Sequence, residues 1–239
     1  MRGGLLCLGL LMLAASADAA IVRYYTGTGF YVNKQGHVIT NAHVVPRCHE
    51  ITVAGRPAKL IDRNNLLDIA VLKVVPDTLT VAPLRRDTNL QPGEKIILMG
   101  YPGDAGDRGI STYRTGKYIA QRPYVLPTAD MSGTHKVDSL LIDPIATHGN
   151  SGGPVMDAKG RVIGIIRATT TIFQMDSTGA RVPGSEQQVD VAIPLSVLEP
   201  YLRGLRIYML FEHGGLTVKN DARMHQEAHK FILPIRCYL

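Results

Sequence analysis

The chain has 239 residues, of which 45% are hydrophobic and 19% are charged, so it can bury a substantial core and is neither a disordered nor a fibrous protein. Its formal net charge is +6, but the basic residues are scattered rather than arranged in stripes with aromatic residues, which argues against nucleic-acid binding. The only long apolar run lies at the N-terminus, so we expect no stable membrane span in the mature chain.

The first 19 residues have the pattern of a secretory signal peptide. Arg2 precedes the apolar run of residues 5–15, and Ala17-Asp18-Ala19 supplies the small-x-small pattern that a signal peptidase requires. The run is short for a bilayer span, and a retained N-terminal anchor is the alternative interpretation. We therefore expect an exported protein, periplasmic or secreted, that is cut after Ala19.

Export would leave two cysteines, Cys48 and Cys237, in an oxidising compartment where they could pair. A disulfide requires the two Cα atoms to lie within about 7 Å of each other. The sequence cannot place them at that distance, so their pairing stays open.

Residues 21 to about 193 alternate between short β-branched or aromatic runs and turns rich in Gly, Pro, Asn and Asp. This pattern predicts an all-β fold of the sandwich or barrel kind, with Ile21 and Val22 starting the first strand. The other predicted strands span residues 29–32, 38–40, 51–53, 69–75, 95–100, 112–119, 139–142, 155–156, 162–170 and 188–193.

A short helix is predicted after the last strand, because Ser196-Val197-Leu198-Glu199 has the form of a capping box. We predict one domain over residues 20–203, with the junction of its halves near 85–110, and a tail over 204–239 whose structure the sequence leaves open. In that tail His225 and His229 lack the Glu that zinc peptidases place directly after the first His. We interpret them as part of a surface helix and predict no metal site.

One segment sets a serine among glycines, as His148-Gly149-Asn150-Ser151-Gly152-Gly153-Pro154. A serine hydroxyl is a poor nucleophile near neutral pH, so it needs a base, a group that fixes the base and donors for the oxyanion. The glycines allow a turn in which the amides of Gly149 and Ser151 converge beside the hydroxyl. Taken alone, the segment is equally consistent with an ordinary turn.

Two further segments supply a base and an acid. His43 ends a predicted strand, and an imidazole is suited to proton transfer near neutral pH. Asp68 precedes the apolar strand that starts at Ile69 and could hold the Nδ1 hydrogen of His43. Taken singly, the histidine could be a surface or core residue and the aspartate could cap a turn.

Together these segments resemble the trypsin-like serine proteases, and within them the Deg, or high-temperature-requirement, branch. The resemblance covers residues 27 to about 203 and implies two six-stranded antiparallel β-barrels of the chymotrypsin-like kind, followed by a short C-terminal helix. It rests on motifs in the family's order: Gly-Thr-Gly-Phe at 27–30, Thr-Asn-Ala-His at 40–43, Leu-Asp-Ile-Ala-Val-Leu-Lys at 67–73, Gly-Asn-Ser-Gly-Gly-Pro at 149–154 and Val-Ala-Ile-Pro at 191–194.

The resemblance implies catalytic roles for three residues: Ser151 is the nucleophile, His43 the general base and Asp68 the residue that orients the histidine. The amides of Gly149 and Ser151 become the oxyanion hole. Residues before the nucleophile and along the following strand line the primary pocket in this family, which implies substrate-binding roles for Ala146, Thr147, His148, Ile166, Arg167 and Ala168.

The implied activity is hydrolysis of peptide bonds in peptides or unfolded proteins through an acyl-enzyme, with no metal or organic cofactor. The alternative is a non-enzymatic protein that binds peptides on a protease fold, and assembly into a homo-oligomer stays open. The pocket residues are small or apolar apart from His148 and Arg167, so we expect a preference for small or aliphatic side chains.

Two departures from the family pattern change the expectations. Digestive trypsins have an Asp before the serine that pairs with a newly cut N-terminus, but this chain has Asn150. We therefore expect signal removal alone to yield a competent enzyme. The roughly 35 residues after Gly204 are too few for the PDZ domain that Deg proteases usually carry.

Overall fold

The computed structural model describes residues 23–77, 80–87, 89–103, 108–212 and 217–239. The predicted signal peptide and the predicted start of the first strand at Ile21 and Val22 lie outside these residues. The described residues form two β-barrel halves, each built on one mainly antiparallel sheet. This architecture confirms the chymotrypsin-like, mainly β fold expected from the sequence.

The first sheet has the strand order β4-β3-β15-β1-β2-β6-β5, and its neighbouring strands pair antiparallel. Its strands are numbered in chain order: β1 Tyr24–Tyr31, β2 His37–Thr40, β3 Glu50–Val53, β4 Arg56–Pro57, β5 Lys59–Asn64, β6 Ile69–Lys73 and β15 Ile232–Tyr238.

The second sheet closes on itself. The ring runs β11-β8-β9-β10-β13-β12 and returns to β11, while β7 and β14 are added outside β12 in parallel orientation. Its strands are β7 Leu84–Arg85, β8 Lys95–Gly100, β9 Thr112–Pro127, β10 Thr134–Ile142, β11 Pro154–Asp157, β12 Val162–Ile172, β13 Gln187–Pro194 and β14 Phe211–Glu212.

The tail contributes a strand to the first sheet. β15 lies between β1 and β3, and Cys237 on β15 forms a disulfide with Cys48, with the Cα atoms 5.2 Å apart. Residues 232–238 are therefore part of the barrel that carries β1, and the disulfide fixes this strand to the segment before β3.

Two helices lie after the second barrel. Helix α1, Leu195–Gly204, was expected from a capping box, but its N-cap is Pro194 and no side chain caps it. Helix α2, Asp221–Ala228, lies on the second barrel, where His225 Nε2 is 3.2 Å from the Ser111 hydroxyl. No helix in the described part of the chain is long and apolar enough to cross a bilayer.

The largest hydrophobic cluster joins the two barrels. It combines Phe30, Ile39 and Ile69 of the first sheet with Met99 and Ile193 of the second, all at most 1% exposed. These side chains pack β1, β2 and β6 against β8 and β13. The turn that follows β2 carries His43, and Asp68, to which it bonds, directly precedes β6.

Candidate active site

His43 and Asp68 form a bonded pair at the barrel junction. His43 lies in the 3₁₀ turn Ala42–Val44 after β2, and its Nδ1 is 2.8 Å from Oδ2 and 3.1 Å from Oδ1 of Asp68. The backbone amide of His43 also donates to Oδ1 of Asp68, at 3.0 Å. The Asp68 side chain is 4% exposed and that of His43 is 36% exposed. The aspartate therefore fixes the ring from the buried side and leaves Nε2 as the nitrogen available to a reacting group.

Asp68 is held in an uncommon backbone conformation. Its φ is 57°, in the left-handed region, which Asp tolerates better than bulky residues. The side-chain amide of Asn41 donates to the Asp68 carbonyl at 3.0 Å, and the carboxylate accepts from the backbone amide of His43. The Asp68 carboxylate is thus held against His43, whereas a turn-capping carboxylate would bond to the local backbone.

The loop that carries Ser151 runs between β10 and β11. Gly149 and Gly152 flank it at φ values of 93° and 82°, which favour glycine. The Gly152 amide donates to the Ile166 carbonyl at 3.1 Å, and the Ile166 amide donates to Gly153 at 3.0 Å. The loop is therefore attached to β12 directly after the serine.

Close packing brings the serine loop against the turn that carries His43. A Cβ on Gly152 would lie 2.9 Å from the Asn41 amide nitrogen and 2.3 Å from the Thr28 carbonyl oxygen. A Cβ on Gly27 would lie 2.5 Å from the Val44 side chain and 3.2 Å from the Ser151 carbonyl oxygen. Asn41 and Val44, on either side of His43 in the sequence, thus lie against the serine loop and β1, respectively.

Thr28 is a buried link between the barrels. Its hydroxyl donates to the Gly149 carbonyl at 2.8 Å and accepts from the Tyr101 amide at 2.9 Å. Its own amide donates to the Ser151 carbonyl at 2.9 Å. Thr28 therefore holds the peptide groups on both sides of Asn150, although the sequence motif that contains it gave no indication of this role.

Within the described residues, the two backbone amides expected to form the oxyanion hole have no hydrogen-bond acceptor and are therefore free to bind a ligand. Neither the Gly149 nor the Ser151 amide has an acceptor in that part of the chain. Backbone amides without an internal partner beside a nucleophile can stabilise a developing negative charge.

Asn150 is fully buried and bonded within its own loop. Its amide nitrogen Nδ2 donates to the Thr147 hydroxyl at 3.2 Å, and its backbone amide donates to the Thr147 carbonyl at 3.0 Å. The loop conformation is thus supported locally, by neutral groups.

The predicted pocket residues divide into two groups. Thr147, His148 and Ala168 are exposed and Ala146 is partly exposed, so these four are open to a ligand. Ile166 and Arg167 are buried, at 1% and 4% exposure. The Arg167 guanidinium contacts Asp68, with Nε 3.3 Å from Oδ2, instead of lining an open pocket.

Asp190 supports the pocket wall and was not among the predicted site residues. It is fully buried on β13, and its Oδ2 accepts from the amides of Ile145 and Ala146 at 2.7 and 2.5 Å. Its Oδ1 accepts from the Thr169 hydroxyl at 2.6 Å. The sequence could have indicated this role, because Asp190 lies within the apolar run 189–193 and a buried carboxylate needs several hydrogen-bond donors.

A double β-barrel with a bonded His–Asp pair and a glycine-framed serine loop at the same junction is the arrangement expected of the trypsin-like class of peptidase folds. Residues 27–165, more than half of the chain, match the family model of the trypsin-like peptidase domain. The chain therefore belongs to the trypsin-like peptidase family, and the resemblance found in the sequence is confirmed.

Individual relatives belong to the branch indicated by the motifs. The chain is 36% identical over 151 residues to serine protease HTRA1A of Danio rerio, covering 59% of this chain and 29% of that protein. It is 34% identical over 198 residues to the probable periplasmic serine endoprotease DegP-like of Hahella chejuensis, covering 81% and 38%. The chain thus spans less than half the length of these relatives.

A solved structure shows the same fold. The HtrA-type protease AlgW with a decapeptide superposes with a TM-score of 0.58 at 24% identity, covering 75% of this chain and 51% of that chain.

Proposed function

We propose that this chain is an exported serine endopeptidase that cleaves peptide bonds through an acyl-enzyme on Ser151. The observation that carries the proposal is the His43–Asp68 pair, bonded at 2.8 Å, at a junction against which the glycine-framed Ser151 loop is packed. His43 takes the proton of the Ser151 hydroxyl as it attacks the carbonyl and returns it to the leaving amine. The amides of Gly149 and Ser151 stabilise the oxyanion, and water then hydrolyses the ester.

Labelling by a fluorophosphonate probe tests the proposal, because the probe reacts with an activated serine. We expect the mature protein to be labelled and to cleave casein, and Ser151→Ala to lose both properties, with turnover falling by at least about 10⁴-fold. Ser196→Ala is the matched control, since Ser196 is exposed on α1. A folded wild-type protein that is never labelled would favour the non-enzymatic peptide-binding alternative.

Activity should appear without a second N-terminal cut. Asn150 is a neutral amide that already bonds to Thr147, so it offers no carboxylate to a new N-terminus. A protein that begins at Ala20 and one that carries extra residues before Ala20 should be labelled at similar rates. Labelling that requires a further cut would contradict this expectation.

Export is supported by the disulfide between Cys48 and Cys237, since such bonds persist in oxidising compartments. N-terminal sequencing of the protein from periplasm or medium should begin at Ala20. A product that keeps residues 1–19 would instead indicate the retained anchor.

The proposed substrates are peptides or unfolded proteins with small or aliphatic side chains at the cleaved bond. The exposed residues beside Ser151 and on β12 carry no acidic group that would attract Lys or Arg, and the nearby Asp190 is saturated by three donors. A peptide library tests this preference. Efficient cleavage only after Lys or Arg would overturn it.

A further inference from the structure

One carboxylate oxygen at the site is shared by two cationic or potentially cationic side chains. Asp68 Oδ2 is 2.8 Å from Nδ1 of His43 and 3.3 Å from Nε of Arg167. The Asp68 and Arg167 side chains are 4% and 3% exposed, so water screens their interaction little. The charge and position of Arg167 therefore act on Asp68 and, through the shared oxygen, on His43.

Stability alone does not account for this arginine. Its Nη2 donates to the Pro127 carbonyl at 2.6 Å, but its buried Nη1 has no partner among the described residues. Burial lowers the pKa of Arg167, and the charge of Asp68 opposes that effect. A buried guanidinium that is incompletely bonded costs free energy, and a buried ion pair is weak support for stability in general.

The charge of Arg167 has a definite effect on the reaction. An aspartate beside a histidine stabilises the imidazolium, and a permanent positive charge on the same oxygen reduces that stabilisation. In the proposed reaction His43 becomes an imidazolium when it accepts the serine proton, so the charge of Arg167 bears on that step.

We propose, on the basis of the function proposed above, that Arg167 is a positioning residue that acts on His43 through Asp68. It fixes the buried carboxylate from the side of the second barrel, and its charge adjusts how strongly that carboxylate acts on the histidine.

Other charged groups lie around this cluster but bond elsewhere. Arg63 of β5 donates to the Val45 carbonyl, and Asp130 of the β9–β10 turn accepts from Asn65 and Thr128. Arg63, Asp130 and Arg47 share a cleft with Ala42, and His148 is exposed on the serine loop. Among the described residues, Asp68 forms ion pairs with Arg167 and His43, Arg167 forms one with Asp68, and neither pairs with any of these other groups.

The test compares the wild type with Arg167→Gln, Arg167→Met and Arg167→Lys. The rate of fluorophosphonate labelling is measured across the acid and neutral range, after circular dichroism shows that each protein is folded. We expect the Gln and Met profiles to depart from the wild-type profile, because both changes remove a charge that contacts Asp68. The Lys variant keeps the charge and should stay near the wild type.

Each outcome bears on the proposal. Uncharged variants that are folded and follow the wild-type profile would overturn it, as would a Lys profile shifted as far as the Gln profile. Failure of both uncharged variants to fold would also overturn it, because the guanidinium would then be required for structure. Failure of the wild type to be labelled at any pH would refute the proposed function itself, which makes the two failures distinguishable.

Discussion

Replacing Thr28 by Val tests the inferred link between the barrels. Valine has nearly the same shape, so the change removes the hydroxyl without opening a large cavity. It leaves two buried groups unpaired, the Gly149 carbonyl and the Tyr101 amide, which the hydroxyl now satisfies at 2.8 and 2.9 Å. Each unpaired buried group costs about 1–3 kcal/mol, so we expect a loss of about 3 kcal/mol in the free energy of unfolding.

The matched control is Thr28→Ser, which keeps the hydroxyl and loses one buried methyl group, at a cost of about 1 kcal/mol. For a chain of this size, about 3 kcal/mol corresponds to a fall in melting temperature of about 6–12 °C. The rate of Ser151 labelling should distinguish the two variants further, because the Gly149 peptide group adjoins the backbone amides proposed to form the oxyanion hole. We expect Thr28→Val to slow Ser151 labelling by at least about tenfold, and Thr28→Ser to slow it little.

Thermal unfolding and labelling are measured on the same preparations. If Thr28→Val has the same melting temperature as Thr28→Ser and is labelled at the wild-type rate, the hydroxyl does not position the serine loop, and the inference is wrong. A stability loss with unchanged labelling would keep the structural role and refute the functional one.

Two further predictions concern the supports of the site. Cys48→Ala combined with Cys237→Ala should lower the free energy of unfolding by about 5 kcal/mol, since the cysteines are 189 residues apart and a disulfide that closes so long a loop restricts the unfolded chain strongly. An unchanged denaturation midpoint in urea would contradict that estimate. Asp190→Ala should cost about 2–4 kcal/mol, because the amides of Ile145 and Ala146 lose their acceptor. Asp190→Asn keeps one oxygen and should cost less; equal losses would show that the acceptor is unimportant.

Strands with a clear apolar pattern were predictable, and strands that carry an interrupting residue were not. The strand predicted at residues 95–100 has the bounds of β8. In contrast, β15 contains Pro234, which normally argues against a central strand. Its pairing with β3 starts one residue later, at Ile235, and the Pro234 carbonyl accepts from Ala54 beyond the end of β3. The N–H that Pro234 lacks thus lies beyond the end of the β3–β15 ladder. That position depends on the register between two segments that are far apart in the sequence.

The helix after β13 shows how a local signal can identify an element and mistake its start. The Ser196-x-x-Glu199 pattern predicted a helix, and α1 is present, but it begins at Leu195. Glu199 forms an ion pair with Arg203, one turn further along, and does not bond back to the helix start. Pro194, with its fixed φ, sets the beginning instead.

The candidate triad was accessible from the sequence because its motifs are local, whereas the role of Arg167 depends on a bulge. Strict alternation along β12 would place neighbouring side chains on opposite faces. The pairing of β12 with β13 shifts between Ile166 and Ala168, and Ile166 and Arg167 are both buried. A bulge of this kind redirects a side chain, here away from the open cleft and towards Asp68. The same irregularity therefore removes Arg167 from the substrate surface and places its charge on the oxygen that orients His43.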